Sequence, residues 1–217
     1  MALRIIQIAV GGYDKNFSYV IHDEETRNAV IVDPSGDLDL ILETIDGNEL
    51  DLVGVLITHT HQDHMDKLDE LLRKYVVPVY VHENGFEKIV SSGPVRTVKD
   101  NDAIKLFGAE ISVLHTPGHI DDAVCFYIDK SYAADGVSKL ITGDTLFVEG
   151  CGRTNKEHVR ELYDSLMRLM SYSDETEVYP GHDYGSRTHS TIGYEKEHNK
   201  YFLSRDFEEF HKLRLHP

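Results

Sequence analysis

"THTHQDH" (Thr58–His64) packs three histidines and an aspartate into seven residues, directly behind the apolar run "LVGVLI" (Leu52–Ile57). Such a run, rich in Val, Leu and Ile, reads as a strand. In extended chain, residues i and i+2 point to the same side, so His59 and His61 can face one ion together. Asp63 and His64 fall where the chain turns into the amphipathic stretch "DKLDELLRKY", and there they can face a second ion. Histidine and aspartate are poor strand residues, and grouping them is electrostatically useful chiefly around a cation.

The same pattern recurs along the chain. "ISVLHTPG" is followed by His119, "KLITG" by Asp144 and "EVYPG" by His182. Four apolar segments therefore deliver a metal-binding side chain just past their C-terminal ends, where loops held by a rigid scaffold carry function. Neutral imidazole and carboxylate suit zinc, iron and manganese. Two ions about 3.5–4 Å apart can share a bridging carboxylate. The other histidines are ordinary by comparison. His22, His82, His158, His198, His211 and His216 are expected at the surface or in packing. His115, four residues before His119, is expected inside a strand, and His189 has no assigned place.

Around these points the chain alternates strands and helices. "LRIIQIAV", "FSYVIHD", "NAVIVDP", "VPVYVHE", "AIKLFG", "EISVLHT" and "AVCFYI" read as strands. "LDLILETIDG", with Gly47 as its stop, and "EHVRELYDSLMRLM" read as helices. The segment from Thr191 to Pro217 is expected to be a polar helical tail. Two similar halves, each with strands and helices interleaved, predict two mixed sheets packed face to face with helices outside. No Pro/Gly/Ser-rich linker divides residues 1–217, so one domain is expected.

The 217 residues carry a formal net charge of −16, which argues against nucleic acid and against anionic membranes as partners. Two cysteines make no disulfide framework and fit a reducing compartment. The opening run "LRIIQIAV" is too short for a signal or a membrane span. A cytoplasmic location is expected.

"THTHQDH" resembles the HxHxDH signature of the metallo-β-lactamase superfamily, and "HTPGH", "ITGDTLF" and "YPGHD" resemble its remaining ligand motifs, in the same order. The resemblance covers nearly the whole chain and implies an α+β fold, a four-layer αββα sandwich with the metals at one edge. It further implies that His59, His61 and His119 hold one metal, that Asp63, His64 and His182 hold another, and that Asp144 bridges them. Two zinc ions are the implied cofactor, with iron or a zinc–iron pair as alternatives. Asp63 is the implied proton-handling residue.

The loop "GDTLFVEGCGR" is similar to that of the glyoxalase II (hydroxyacylglutathione hydrolase) branch, and the persulfide dioxygenase branch carries a related loop. Both imply a small thiol-derived substrate. A thioester hydrolase is the first reading, and a mononuclear iron dioxygenase using His61, His119 and Asp144 is the second. Arg153 is a candidate grip for a substrate carboxylate. Tyr184 is a further substrate-contact candidate, and Tyr184 or Tyr194 would serve a zinc lactonase, a third reading. A non-catalytic member should have lost ligands, and all seven are present. Cys151 is read as packing, because metal-activated water is the implied nucleophile. The chain departs from the branch at Asn155, where an aromatic residue is usual, in "DHMDKLDE" and in "GHIDDA".

Overall fold

The structure is a computed structural model that describes residues 2–90 and 93–215, so His216 lies outside the described residues. Its strands are β1 (Leu3–Gly11), β2 (Asn16–Asp23), β3 (Asn28–Val32), β4 (Asp51–Leu56), β5 (Val79–His82), β6 (Val95–Val98), β7 (Ala103–Leu106), β8 (Ala109–His115), β9 (Val124–Ile128), β10 (Lys139–Gly143), β11 (Leu146–Phe147), β12 (Gly150–Cys151), β13 (Glu177–Pro180) and β14 (Ser190–Thr191). Its helices are α1 (Leu38–Gly47), α2 (Gln62–Met65), α3 (Leu68–Lys74), α4 (Val159–Met170), α5 (Ile192–His198) and α6 (Phe207–Leu215).

One six-stranded sheet runs β1-β2-β3-β4-β5-β6 and the other β14-β13-β10-β9-β8-β7. Both are mixed: β3, β4, β5 and β6 pair in parallel, as do β10 and β13, while the remaining neighbours are antiparallel. Alternation along β2 and β3 explains the layering. Val20 and Ile31 point to one apolar cluster, shared with Ile41 of α1 and Leu71 of α3. Ile21 and Val30 point to a second, shared with Val113 and Phe126 of the other sheet. The far face of that sheet, through Leu114 and Leu140, meets Leu162, Leu166 and Leu169 of α4. The result is helix, sheet, sheet, helix, in agreement with the expected αββα sandwich.

The segment from residue 191 departs from the expected polar tail. It forms α5 and α6, and Tyr201, Phe202 and Phe210 are buried in the α4 cluster. Phe210 is fully buried, with Tyr163 and Tyr201 against its ring. Its aromatic partners come from outside its own helix, so a short window of sequence reads as polar. Phe210→Ala is expected to cost about 3–5 kcal/mol, read as a fall in the denaturation midpoint. A solvated tail would show almost no change.

Other boundaries shift for local reasons. The helix expected over "DKLDELLRKY" begins at Leu68, because α2 and a turn occupy Gln62–Lys67. Gly47 is the last helical residue of α1, and Asn48 closes it by donating its backbone N–H to Asp46 O. Among the described residues no helix is long and apolar enough to cross a membrane.

Candidate metal centre

The C-terminal ends of β3, β4, β10 and β13 meet at one edge of the sandwich. The two sheets are tied there by backbone bonds from Val124 N–H to Thr58 O (2.8 Å) and from Phe17 N–H to Gly181 O (2.8 Å). His59 and His61 follow β4, and His61, in extended backbone, caps the short turn α2 that carries Asp63 and His64. Asp144 directly follows β10, and His182 lies two residues past β13. His119 hangs from the loop after β8.

All seven predicted side chains come together. His59 Nε2 lies 3.1 Å and His119 Nε2 2.9 Å from His61 Nδ1. His64 Nε2 lies 3.2 Å from His182 Nε2, and Asp63 Oδ2 lies 3.6 and 3.5 Å from those two nitrogens. These two triads, each with ligand atoms within 4.8 Å of one another, can each hold a metal ion. Asp144 stands between them. Its Oδ2 is 3.5 Å from His119 Nε2, and its Oδ1 is 3.3 Å from His64 Nε2 and 3.2 Å from His182 Nε2.

The far ring nitrogens fix the tautomers. His119 Nδ1–H donates to Arg153 O (2.8 Å), His182 Nδ1–H to Asp14 O (2.8 Å) and His64 Nδ1–H to Asp33 Oδ2 (2.9 Å). Thr58 Oγ1 donates to Asp33 Oδ2 (2.5 Å), so it accepts from His59 Nδ1–H (3.0 Å). A neutral imidazole carries one N–H, so four Nε2 lone pairs point inward. Lone pairs facing at about 3 Å repel unless a cation lies among them. Asp144 Oδ1 adds a buried carboxylate oxygen with no hydrogen-bond donor. An orphaned buried anion beside converging lone pairs is the donor set of a metal site, and the residues fit such an ion.

The electrostatics agree. Burial, then the nearby His64, holds His59 well below an ordinary histidine; burial, then His119, lowers His61. Burial opposes ionisation of Asp144, yet His64, His182 and His59 keep its pKa well below the usual carboxylate value. Burial likewise works against His64 and His182, but Asp144 raises both, with help from Asp33 at His64. Asp63 resists its own desolvation through the Asn16 amide, His64 and His182, and its pKa is lowered. The site holds fixed negative charge and draws positive charge to it.

Several positioning residues escape a search for ligand motifs. Asp33, buried after β3, accepts Thr58 N–H (2.7 Å), the Thr58 hydroxyl and His64 Nδ1–H. Its signal was available: "NAVIVDP" is another apolar run ending in a carboxylate. Asn16 Nδ2 donates to both Asp63 O (3.1 Å) and Asp63 Oδ2 (3.0 Å). Asp122, one of the unusual acids of "GHIDDA", is fully buried. It accepts Thr60 N–H (3.2 Å), the Thr60 hydroxyl and Lys88 Nζ (3.0 Å), and so fixes the loop between His59 and His61.

The remaining candidates sort by geometry. A cleft of about 430 Å³ opens over the triads, and Arg153, Asn155 and Tyr184 line it. Tyr184 stacks on His182 at 4.8 Å and donates its hydroxyl to Asp14. Asn155 is occupied locally, accepting the Glu157 (2.8 Å) and His158 (3.0 Å) N–H groups as the chain enters α4. Tyr194 instead bonds Glu149 (2.5 Å) and stacks on His198, outside the residues lining the cleft. His115 ends β8, stacks on His82 at 4.0 Å and donates to Asp121 O (2.8 Å), so it joins no triad. His189 stacks on Tyr179 at 5.5 Å. His22 is buried beside β1, His158 pairs with Glu161 on the surface, and His211 lies against Phe207.

The "GCGR" loop has a packing reason. A Cβ at Gly152 would lie 1.9 Å from the Asp144 carbonyl oxygen, so only glycine lets this loop close over the aspartate. Cys151 beside it is buried, and burial pushes its thiol to about 12; Cys125 is pushed to about 11 by the same cause. Neither is a thiolate at neutral pH. Iodoacetamide at pH 8 is expected to leave both unmodified in the folded protein and to label both after denaturation. Rapid labelling of folded Cys151 would reopen it as a nucleophile.

A sequence model of the metallo-beta-lactamase superfamily matches residues 11–182, and the chain belongs to that superfamily. The chain is 32% identical over 203 residues to the probable polyketide biosynthesis zinc-dependent hydrolase PksB of Bacillus subtilis, covering 92% of this chain and 87% of that one. It is 36% identical over 178 residues to the hydroxyacylglutathione hydrolase of Photobacterium profundum, covering 82% of this chain but 66% of that enzyme. Its fold is similar to that of ETHE1 from Myxococcus xanthus, at a TM-score of 0.82 and 34% identity, covering 100% of this chain and 91% of that one. The family and these relatives point to an enzyme, a hydrolase or a dioxygenase, and the His/Asp clusters are able to hold metal.

Proposed function

We propose that the protein is a metal-dependent thioester hydrolase with two zinc ions, acting on a small thiol-derived substrate such as an acylglutathione. The observation that carries this reading is the placement of Asp144, whose two carboxylate oxygens face two separate triads. In this assignment His59, His61 and His119 would hold one ion and Asp63, His64 and His182 the other, with Asp144 available to both. Such ions lower the pKa of water toward neutrality and polarise a carbonyl.

The protein's own residues do the rest. Asp63 is the more open of the two site carboxylates, its side chain 28% exposed against 10% for Asp144. It is held toward the cleft by Asn16 and takes the water proton as the water oxygen adds to the thioester carbonyl carbon. Collapse of the tetrahedral adduct breaks the C–S bond. A thiolate leaves readily, so no strong acid is required opposite Asp63. Arg153 and Tyr184 line the cleft and orient the substrate.

The test is elemental analysis of protein purified without added metal and without air, followed by a thioester panel. Near two metals per chain, with thioester cleavage that chelation removes and zinc restores, supports the reading. The likeness to ETHE1 over the whole chain favours a second one, a mononuclear iron persulfide dioxygenase with His61, His119 and Asp144 at the iron. Near one iron per chain, with oxygen uptake on glutathione persulfide and no thioester cleavage, would replace the first reading by the second.

A further inference from the structure

Glu195 is a buried carboxylate that the chemistry of the cleft does not use. It stands in the first turn of α5 and is fully buried. Its Oε1 accepts the Ser190 hydroxyl (2.6 Å), and its Oε2 accepts the Asn199 side-chain amide (2.8 Å) and the Glu149 backbone N–H (2.8 Å). The same Asn199 amide donates to Gly150 O (3.0 Å). Glu195 and Asn199 thus grip two successive residues of the loop that follows Asp144. Burial raises the Glu195 pKa, and its three donors offset that only in part. An apolar side chain would fill the space at less cost to the fold, but it could not accept those donors.

The gripped turn needs holding. Val148 and Glu149 join β11 to β12 in a two-residue hairpin, with Phe147 opposite Gly150. Glu149 has a φ of 61°, in the left-handed region that favours glycine. A non-glycine residue stays there only where its surroundings impose it. Here the bonds to its own N–H and to the next carbonyl impose it.

What the turn sets in place lies a few residues on. Gly152 passes so close to the metal edge that a Cβ there would come 3.1 Å from His119 Cβ. The next carbonyl, Arg153 O, accepts His119 Nδ1–H (2.8 Å), and the Thr154 hydroxyl donates to Gly118 O (2.5 Å). His59 and His64 are oriented by Thr58 and Asp33, side chains rooted at strand ends. His119 depends instead on a loop carbonyl, which is only as fixed as its loop.

We propose that Glu195 is a positioning residue for His119: its buried carboxylate holds the 148–149 turn, and the turn holds the Arg153 carbonyl that fixes the His119 ring with its Nε2 lone pair inward. The assignment needs only that His119 belongs to the metal site. That membership is common to the hydrolase and dioxygenase readings, so failure of the thioester panel does not overturn it.

The test compares Glu195→Ala, Glu195→Asp and Glu195→Gln with wild type. In metal-free protein at mildly alkaline pH, long-range proton–nitrogen correlation spectra of the imidazoles report which ring nitrogen carries the proton. Wild-type His119 is expected as one tautomer, protonated at Nδ1. Glu195→Ala removes the acceptor, and Glu195→Asp, one methylene shorter, cannot reach both Ser190 and the turn. Both are expected to show His119 as a mixture of tautomers, with His59 unchanged as the internal reference. Both are expected to retain metal about tenfold less tightly against a graded chelator. Glu195→Gln keeps a carbonyl for the Glu149 N–H and the Asn199 amide and can donate to the Ser190 hydroxyl, so it is expected to restore both readouts. The Asp and Gln variants carry the test if Glu195→Ala folds poorly. A folded Ala or Asp variant with the wild-type His119 signature and metal retention would overturn the proposal and leave Glu195 a fold residue alone. So would a joint change of His59 and His119, because it reports loosening of the whole edge.

Discussion

Asp144→Asn is expected to abolish stable occupancy by a metal pair and with it the activity. The amide keeps the shape of the carboxylate, so the sandwich should fold, but it removes the negative charge that Asp144 places between the two triads. Partners one layer further out typically cost 10–100-fold in metal affinity or activity when removed; a shared ligand should exceed that, by more than about 100-fold. The metal-free protein supplies an independent readout. Burial opposes protonation of His64, and Asp144 is the strongest influence raising its pKa against that burial. A raised histidine pKa stabilises the fold fully below the ordinary value of 6.5, and that stabilisation is lost as the pH rises through the folded-state value. Metal-free wild type should therefore lose stability as the pH rises above about 6.5, and Asp144→Asn should show a flatter profile. A variant that kept two metals per chain, or the wild-type pH profile, would remove Asp144 from the centre of the site.

What was legible in the sequence and what was not follow from how each feature is encoded. The ligand residues stand at the ends of apolar runs, and a strand end followed by histidine or aspartate is a local pattern. Hence His59, His61, Asp63, His64, His119, Asp144 and His182 could be picked out one at a time. Their meeting depends on two sheets packing face to face so that these strand ends share one edge of the sandwich, which the chain writes only as an alternation of strands and helices. The supporting groups are encoded differently. Asn16 sits at the start of a strand and Asp122 in a loop, each bonding to a residue about 50 or more positions away. Asp122 stands three residues after His119, but nothing local shows that it reaches back to Thr60. The C-terminal segment misled for a related reason. Its charged residues are local and visible, whereas the partners of Tyr201 and Phe210 lie in α4 and across the segment itself. The acids of "GHIDDA" looked like a departure from the pattern, yet Asp122 serves the pattern by pinning Thr60 between two ligand histidines.

The sharpest consequence of that hidden layer is at Asp33. Asp33→Ala is expected to damage both fold and metal binding, although Asp33 is remote from the cleft and only 2% exposed. The carboxylate accepts three buried donors: Thr58 N–H, the Thr58 hydroxyl and His64 Nδ1–H. Leaving each without an acceptor costs about 1–3 kcal/mol, so a total loss of several kcal/mol in stability is expected. The metal effect comes through His64. Without Asp33 its Nδ1 proton has no anchor, the other tautomer becomes competitive, and Nε2 no longer presents its lone pair inward. Thr58 lies next to His59, so its hydroxyl, freed to rotate, also releases the Nδ1–H of that ligand. Asp33→Asn separates the two effects. It preserves volume and one carbonyl acceptor, so most of the stability should return while metal affinity stays about 10–100-fold weaker. Equilibrium denaturation with and without chelator measures the first, and metal content after dialysis against a graded chelator measures the second. If Asp33→Asn bound metal like wild type, Asp33 would be a fold residue alone and the orientation of His64 would have to come from packing.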